Sequence, residues 1–111
     1  MPKFLFSYRV PQAPLAETLA GMEPASRAQR IEAWNAWLAD LNGALVERGD
    51  PVGMARSVGT CDTNTRIGGY SIVTASDLEA AVALAAGCPG LAWGGGVEVG
   101  ALAVIDEPAS T

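Results

Sequence analysis

The first residues of the chain alternate between apolar and polar side chains. The even-numbered positions carry the apolar and aromatic members: Phe4, Phe6, Tyr8 and Val10. A period of two is typical of a strand that turns one face toward a core. The pattern therefore predicts a strand over residues 3 to 10, and Pro11 and Pro14 are expected to end it because proline cannot donate to a β-ladder.

A different spacing follows after residue 30. Apolar residues recur there at intervals of three and four positions: Ile31, Trp34, Leu38, Leu41 and Leu45. This spacing places one apolar stripe along a helix, with Trp37 at its margin. The helix is expected to begin between Pro24 and Ser26, since proline suits the first turn and serine can cap it, and to stop at Gly49.

Two further strands are predicted in the middle of the chain. The first, a weak one, covers about Val52 to Val58, and a polar loop over residues 59 to 65 follows it. The second covers Tyr70 to Thr74, where β-branched and aromatic side chains dominate.

A second helix and a last strand complete the pattern. Ser76 and Glu79 have the spacing of a capping box, so the helix is expected to begin there and to stop at Gly87. The last strand is predicted from Val97 to Ile105. One face of the second helix is expected to be buried: Leu78, Ala81, Val82 and Ala85.

The order of the predicted elements, β-α-β-β-α-β, is that of a ferredoxin-like α+β fold. All 111 residues are expected to form a single domain, because this length suits one core. Both helices of such a fold cover one face of an antiparallel sheet and leave the other face open. Leu5, with Ile72 or Val73, would make that open face apolar. We therefore expect a homodimer that meets through its sheet faces, a dimeric α/β barrel.

The composition excludes several function classes. Twelve acidic side chains against seven basic ones give a net charge of −5, so nucleic acid and anionic membranes are not expected partners. The chain has no histidine and only two cysteines, Cys61 and Cys88, so neither a metal nor a cofactor is predicted. The apolar runs are short and the start does not resemble a signal peptide, which predicts a cytoplasmic protein with free thiols.

Four segments of the second half form a recognisable series: Gly68 to Val73, Asp77 to Ala81, Cys88-Pro89 and Gly95 to Val99. In these segments the chain resembles the YCII-related domain family, in particular its DGPF-type branch. The first half is similar only in its tryptophan-bearing helix and in the order of its elements. The resemblance implies a ferredoxin-like α+β fold that dimerises through its sheets into an α/β barrel.

The chain departs from that family at the positions of its expected acid–base pair. Where YCII proteins are expected to have a histidine at the start of the first helix, this chain has Ser26, and Cys88 replaces the expected aspartate. Residues 57 to 60 do not match the Asp-Gly-Pro-Phe segment, and Gly100-Ala101 replaces an arginine and a proline. The resemblance thus implies a divergent member without the titrating pair, and leaves enzymatic activity undecided.

One cluster of polar residues remains as a candidate site. Asp62 and Arg66 lie in and just after the predicted loop, with Arg56 before it and Tyr70 after it. An aspartate whose pKa is raised by burial can act as a general base, and an arginine can hold an anionic ligand. Asp62 and Tyr70 are therefore catalytic candidates, and Arg56 and Arg66 are ligand-binding candidates. The alternative is a loop of solvated charges.

Cys88, Ser26 and Trp93 are the other candidates. A thiol just after a helix C-terminus faces the negative end of the dipole, so an inert, buried Cys88 is favoured over a nucleophile that works near Ser26. Trp93 is expected either to close a ligand pocket or to pack over the sheet edge. The glycines at 94 to 96 predict a tight turn, because a strand rather than a helix follows them.

Three functions stay open at the level of the sequence. The first is a homodimeric protein that binds a small, partly apolar or anionic molecule in a sheet-lined cavity. The second is a cofactor-independent isomerase or lyase that works through Asp62, Tyr70 or an arginine. The third is a structural or regulatory accessory subunit without a ligand, in which side chains fill the barrel. A cavity would separate the first two from the third.

Overall fold

An antiparallel sheet of four strands and two helices make up the described part of the chain, residues 1–12 and 21–103, in the computed structural model. The elements are β1 (Lys3–Pro11), α1 (Pro24–Leu41), β2 (Leu45–Glu47), β3 (Thr65–Thr74), α2 (Leu78–Ala85) and β4 (Gly96–Ala101). A short 3-10 helix follows each α-helix, and the strands lie in the order β2-β3-β1-β4. The predicted α+β class is confirmed.

β1 is a central strand and shows the predicted alternation. Phe4, Phe6 and Tyr8 are buried, whereas the residues between them are half-buried on the other face of the sheet. β1 pairs with β3 along its whole length and with β4 along most of it. Pro11 is its last residue, one position beyond the predicted end, and Pro14 lies outside the described residues.

Both helices pack on the same face of the sheet. A single core joins the buried residues of β1, α1 and α2, which include Leu38, Leu41, Ala81 and Ala85. The two alanines are buried as predicted, and their short side chains allow α2 to lie close to the sheet.

The buried stripe of α1 differs from the predicted one. Trp37, expected at its margin, is only 8% exposed and stacks on Phe6 with the ring centroids 6.1 Å apart. Ile31, expected within the stripe, is 60% exposed. The helix is therefore turned so that Trp37 replaces Ile31 in the core.

α1 ends at Leu41, well before the predicted stop at Gly49. Asn42 has a positive φ of 43°, which the interior of a helix does not tolerate, and the 3-10 helix after it redirects the chain. Leu45, expected on the helix stripe, is consequently the first residue of β2. It still packs against the core, but from the edge of the sheet.

The early end of α1 also moves the second strand. β2 covers Leu45–Glu47, and the predicted strand over Val52 to Val58 is wrong. Only Pro51 and Val52 pair with β3, through an isolated bridge and one N–H···O bond of 3.0 Å. The remainder of that segment has no regular secondary structure.

The N-terminus of α2 lies one residue beyond the predicted cap. Asp77, rather than Ser76, is the N-cap, and its carboxylate accepts a hydrogen bond of 2.8 Å from the Ala80 N–H. Leu78 and Val82, expected on the buried face, are each 44% exposed because the alanines face the sheet instead.

The last strand is shorter than predicted. β4 ends at Ala101, although the Leu102 N–H still donates to the Lys3 carbonyl oxygen of β1 at 3.0 Å. The predicted end at Ile105 lies outside the described residues. Neither α1 nor α2 is long and apolar enough to cross a bilayer.

Candidate functional site

A cavity of about 350 Å³ lies between α1 and the sheet. Its apolar walls come from Ile31, Trp34 and Leu38 of the helix and from Tyr8 and Val10 of β1. Residues 48–52, which follow β2, and part of β3 close the remaining sides; we call residues 48–52 the cover segment. The exposed position of Ile31 is thus a position at the rim of this cavity.

Two features of the sequence leave this space open. Gly68 and Gly69 lie in the middle of the part of β3 that lines the cavity, and they have no side chains with which to fill it. On the helix side, Trp34 packs edge-to-face on its neighbours, with its ring centroid 4.8 Å from Tyr8 and 5.7 Å from Trp37. Trp34 and Tyr8 of this aromatic cluster form the inner wall of the cavity.

Glycine also allows the cover segment to lie directly on β3. Gly49 has a φ of +73°, and a Cβ there would lie 1.8 Å from the Tyr70 carbonyl oxygen. A Cβ on Gly68 would lie 2.6 Å from Cγ1 of Val10. A larger residue at position 49 would push the cover segment away from β3, and one at position 68 would displace the Val10 side chain from its place in the cavity wall.

A chain of hydrogen bonds joins β1, β3 and the cover segment at the cavity. The Tyr8 hydroxyl donates to Oγ of Ser71 at 2.8 Å, and the Ser71 hydroxyl donates to the Arg48 carbonyl oxygen at 2.6 Å. Tyr8 and Ser71 both line the cavity, and Ser71 is completely buried. The chain satisfies a buried serine that would otherwise carry a desolvation cost.

Tyr8 stays a neutral phenol. Burial raises its pKa to about 12, and the hydrogen bond with Ser71 opposes this rise only in part. At neutral pH the hydroxyl therefore keeps its proton and serves as a hydrogen-bonding group.

The rim of the cavity carries charge. Arg48 and Arg66 line it together with a single carboxylate, Asp50. The Arg48 guanidinium donates to Oδ1 of Asn35, which ties the cover segment to α1, and the half-buried Arg66 donates to the Ile67 carbonyl at 3.2 Å. The lining residues thus include two arginines and one aspartate, on a chain whose net charge is −5.

The structure divides the cluster that the sequence singled out. Arg66 and Tyr70 line the cavity, but Asp62 and Arg56 do not. Asp62 is exposed in a turn, where its carboxylate accepts hydrogen bonds from the Thr65 hydroxyl and the Asn64 N–H. These bonds lower the pKa of Asp62, which is the opposite of the rise that the general-base hypothesis required.

The other two members have local partners. The Tyr70 hydroxyl donates to the Glu47 carboxylate at 3.3 Å, and the charge of Glu47 is the main reason that the pKa of Tyr70 is raised. Arg56 is exposed and donates to the carbonyl of its neighbour Ala55. Neither group is placed as a proton donor or acceptor within the cavity.

Cys88 and Ser26 also lie outside the cavity lining. Cys88 is buried, as predicted, and burial raises the pKa of its thiol despite hydrogen bonds from the N–H groups of Gly90 and Leu91. Ser26 is exposed in the first turn of α1. The pair therefore lacks both the shared site and the low thiol pKa that a nucleophile needs.

Trp93 packs on α1 instead of lining the cavity. The Arg30 guanidinium lies 4.5 Å from the centroid of its ring, in a cation–π contact. Gly94 has a φ of +82°, in keeping with the tight turn predicted there. Within residues 1–12 and 21–103, no group of three or more carboxylate or thiol residues is arranged to hold a metal ion.

Several residues of the cavity were missed by sequence reasoning. Arg48, Asn35 and Ser71 were not considered, and Tyr8 was assigned only to the core. Ser71 did carry a signal: it is a hydroxyl at a core-facing strand position, directly opposite Phe6. A buried polar residue needs a hydrogen-bond partner, and the acceptor for Ser71 is the carbonyl oxygen of Arg48, a residue that lines the cavity.

Comparison with models of known protein families and with curated proteins gives no significant match to this chain. The resemblance to the YCII-related family therefore stays a prediction.

Proposed function

We propose that the protein binds a small, partly apolar anion in the cavity between α1 and the sheet. The observation that carries this proposal is the combination of aromatic and aliphatic walls with the two arginines of the rim, Arg48 and Arg66. Apolar concave sites with a few convergent polar groups are typical of small-molecule binding.

The size of the cavity limits the ligand. A water molecule takes ~30 Å³ in the liquid, so about 350 Å³ corresponds to roughly a dozen waters. A molecule of roughly ten to fifteen non-hydrogen atoms fills such a space. Naphthoate, a flat aromatic carboxylate, has this size and supplies both an apolar body for Trp34 and a charge for the rim.

The pKa shifts of the candidate catalytic groups favour binding over catalysis. The pKa of Asp62 is lowered, and those of Tyr70 and Cys88 are raised, so all three move away from neutral pH. A general acid or base works best with a pKa near the working pH. The cavity also argues against an accessory subunit that is filled with side chains.

Calorimetric titration with naphthoate tests the proposal. Arg66→Gln removes a rim charge and is expected to weaken binding about tenfold, the effect of losing one charge-assisted hydrogen bond. Arg56→Gln is the matched control, since Arg56 is an exposed arginine outside the cavity lining, and it should leave the affinity unchanged.

The outcomes are distinct. A lack of saturable naphthoate binding up to millimolar concentration would contradict the proposal, and so would equal losses in the two arginine variants. Binding that weakens only in Arg66→Gln supports it.

We also propose a ferredoxin-like topology and a second copy as partner. The antiparallel order β2-β3-β1-β4, with both helices on one face, supports the first. The face of the sheet away from the helices supports the second: Leu5 lies directly opposite Ile72 on neighbouring strands, and Ile67 lies on the same face, all half-buried among the described residues. Two such faces packed together form the dimeric α/β barrel that the YCII-like segments imply.

A cytoplasmic location belongs to the same proposal. It is supported by Cys61 and Cys88, which are both free thiols.

A further inference from the structure

The hydrogen-bond chain at the cavity has a fixed direction. Its last member, the Arg48 carbonyl oxygen, can only accept, so the Ser71 hydroxyl must donate to it at 2.6 Å. The Ser71 proton is then engaged in the bond with Arg48, so Oγ of Ser71 can only accept from Tyr8. The Tyr8 proton is therefore engaged in the bond with Ser71.

This direction decides what Tyr8 can offer to a ligand. A phenol has one proton and two lone pairs, and the proton lies between Oη of Tyr8 and Oγ of Ser71, 2.8 Å apart. What remains at Oη is acceptor capacity alone. Because Ser71 is completely buried, reversing the chain would leave the Arg48 carbonyl without its hydroxyl donor and cost the buried bonds.

We propose that the ligand of this cavity carries an O–H or N–H donor in addition to its acid group, and that Oη of Tyr8 accepts that hydrogen bond. This inference rests on the proposed function, because it assigns a donor to the molecule that the rim arginines hold by its charge. The ligand class is therefore an aromatic hydroxy or amino acid rather than an ether, an ester or a plain aromatic acid.

Three probes with a common ring system test this assignment by calorimetry: naphthoate, and its hydroxy and methoxy derivatives substituted at the same ring carbon. The hydroxy derivative is expected to bind about tenfold more tightly than the methoxy derivative, since only the former can donate to Tyr8. Tyr8→Phe should abolish this preference, whereas Arg56→Gln, at an exposed residue outside the cavity lining, should retain it.

Ser71→Ala provides a second readout. This change removes the acceptor of the Tyr8 proton, so the phenol becomes free to donate to a ligand. The methoxy derivative should then gain affinity relative to the hydroxy derivative. A purely structural role of Ser71 would instead weaken all three probes by the same factor.

The result that overturns the inference differs from the one that overturns the proposed function. If the three probes bind with equal affinity, or the methoxy derivative binds best to the unaltered protein, the donor assignment is wrong while the anion site stands. If none of the probes binds, the proposed function itself fails. If Tyr8→Phe does not fold, the Ser71→Ala comparison decides.

Discussion

Tyr8 shows how one residue serves both the core and the site. Its ring packs against Trp34 and Trp37, and its hydroxyl begins the chain that ends at the cover segment. The same burial that stabilises the ring raises the pKa of the hydroxyl to about 12, compared with about 10 in an unfolded chain.

This shift predicts a loss of stability at alkaline pH. Above pH 10 the unfolded chain releases the Tyr8 proton while the folded protein retains it, so the free energy of unfolding falls as the pH rises toward 12. Below pH 10 the folded and the unfolded protein both keep the Tyr8 proton, so the titration of Tyr8 does not lower the free energy of unfolding there. In the Tyr70→Phe variant Tyr8 is the only tyrosine, and its phenolate absorbance should appear near pH 12 in the folded protein.

The unfolded reference for this titration is the same variant in concentrated urea, where the midpoint should return to about 10. A folded-state midpoint close to 10 would show that Tyr8 is not buried in the way described.

Gly49 shows what sequence reasoning misses at the scale of one residue. The sequence predicts it as the stop of a helix, but its positive φ and close contact with the Tyr70 carbonyl serve the cover segment. Glycine marks a special backbone position in either case. Which position it marks depends on a strand some twenty residues away, which local patterns do not reveal.

α1 illustrates the corresponding limit at the scale of an element. The apolar spacing continues without interruption from Leu41 to Leu45, although the helix ends at Leu41. Leu45 packs against the core from the edge of the sheet. An apolar residue four positions after Leu41 is also what one more turn of helix would show, so the sequence pattern does not distinguish the two structures. The Asn42-Gly43 pair was the true stop signal, since both residues favour turns.

The N-terminus of α2 is stabilised by the side chain of Asp77. Asp77 accepts the Ala80 N–H, so Asp77→Ala should lower the free energy of unfolding by about 1 kcal/mol. Ser76→Ala, at the residue that the capping-box pattern favoured, should change it by less than ~0.5 kcal/mol. Urea unfolding of the two variants, measured side by side, checks this. If the two variants lost equal free energies of unfolding, or Ser76→Ala lost more, Asp77 would not be the N-cap that stabilises the helix.

At the scale of the whole molecule, the fold class followed from the order of its elements and the cavity did not. Strand alternation and helix periodicity are local, so they predict α+β architecture correctly even where boundaries move. The cavity depends on Gly68 and Gly69 of β3, the cover segment and the position of α1, which meet only in three dimensions. Of the residues proposed for a site, only Arg66 and Tyr70 line it.

The open face of the sheet predicts a dimer. Leu5 lies on the central strand β1, opposite Ile72, and a second copy would bury both. Leu5→Glu should therefore shift the protein from dimer to monomer in sedimentation velocity at low micromolar concentration, because a carboxylate would be buried without a partner.

Val82→Glu is the matched control, since Val82 is exposed on α2, away from that face, and it should leave the dimer intact. An unaltered protein that sediments as a monomer at this concentration would contradict the dimer.

NMR mapping of the naphthoate complex shows directly where the ligand binds. Chemical shifts should move most at the amides of Gly49, Gly68, Gly69 and Ser71 and at the indole N–H of Trp34, which surround the cavity. Shift changes confined to α2 or to the open face of the sheet, or none at saturating naphthoate, would contradict this binding site.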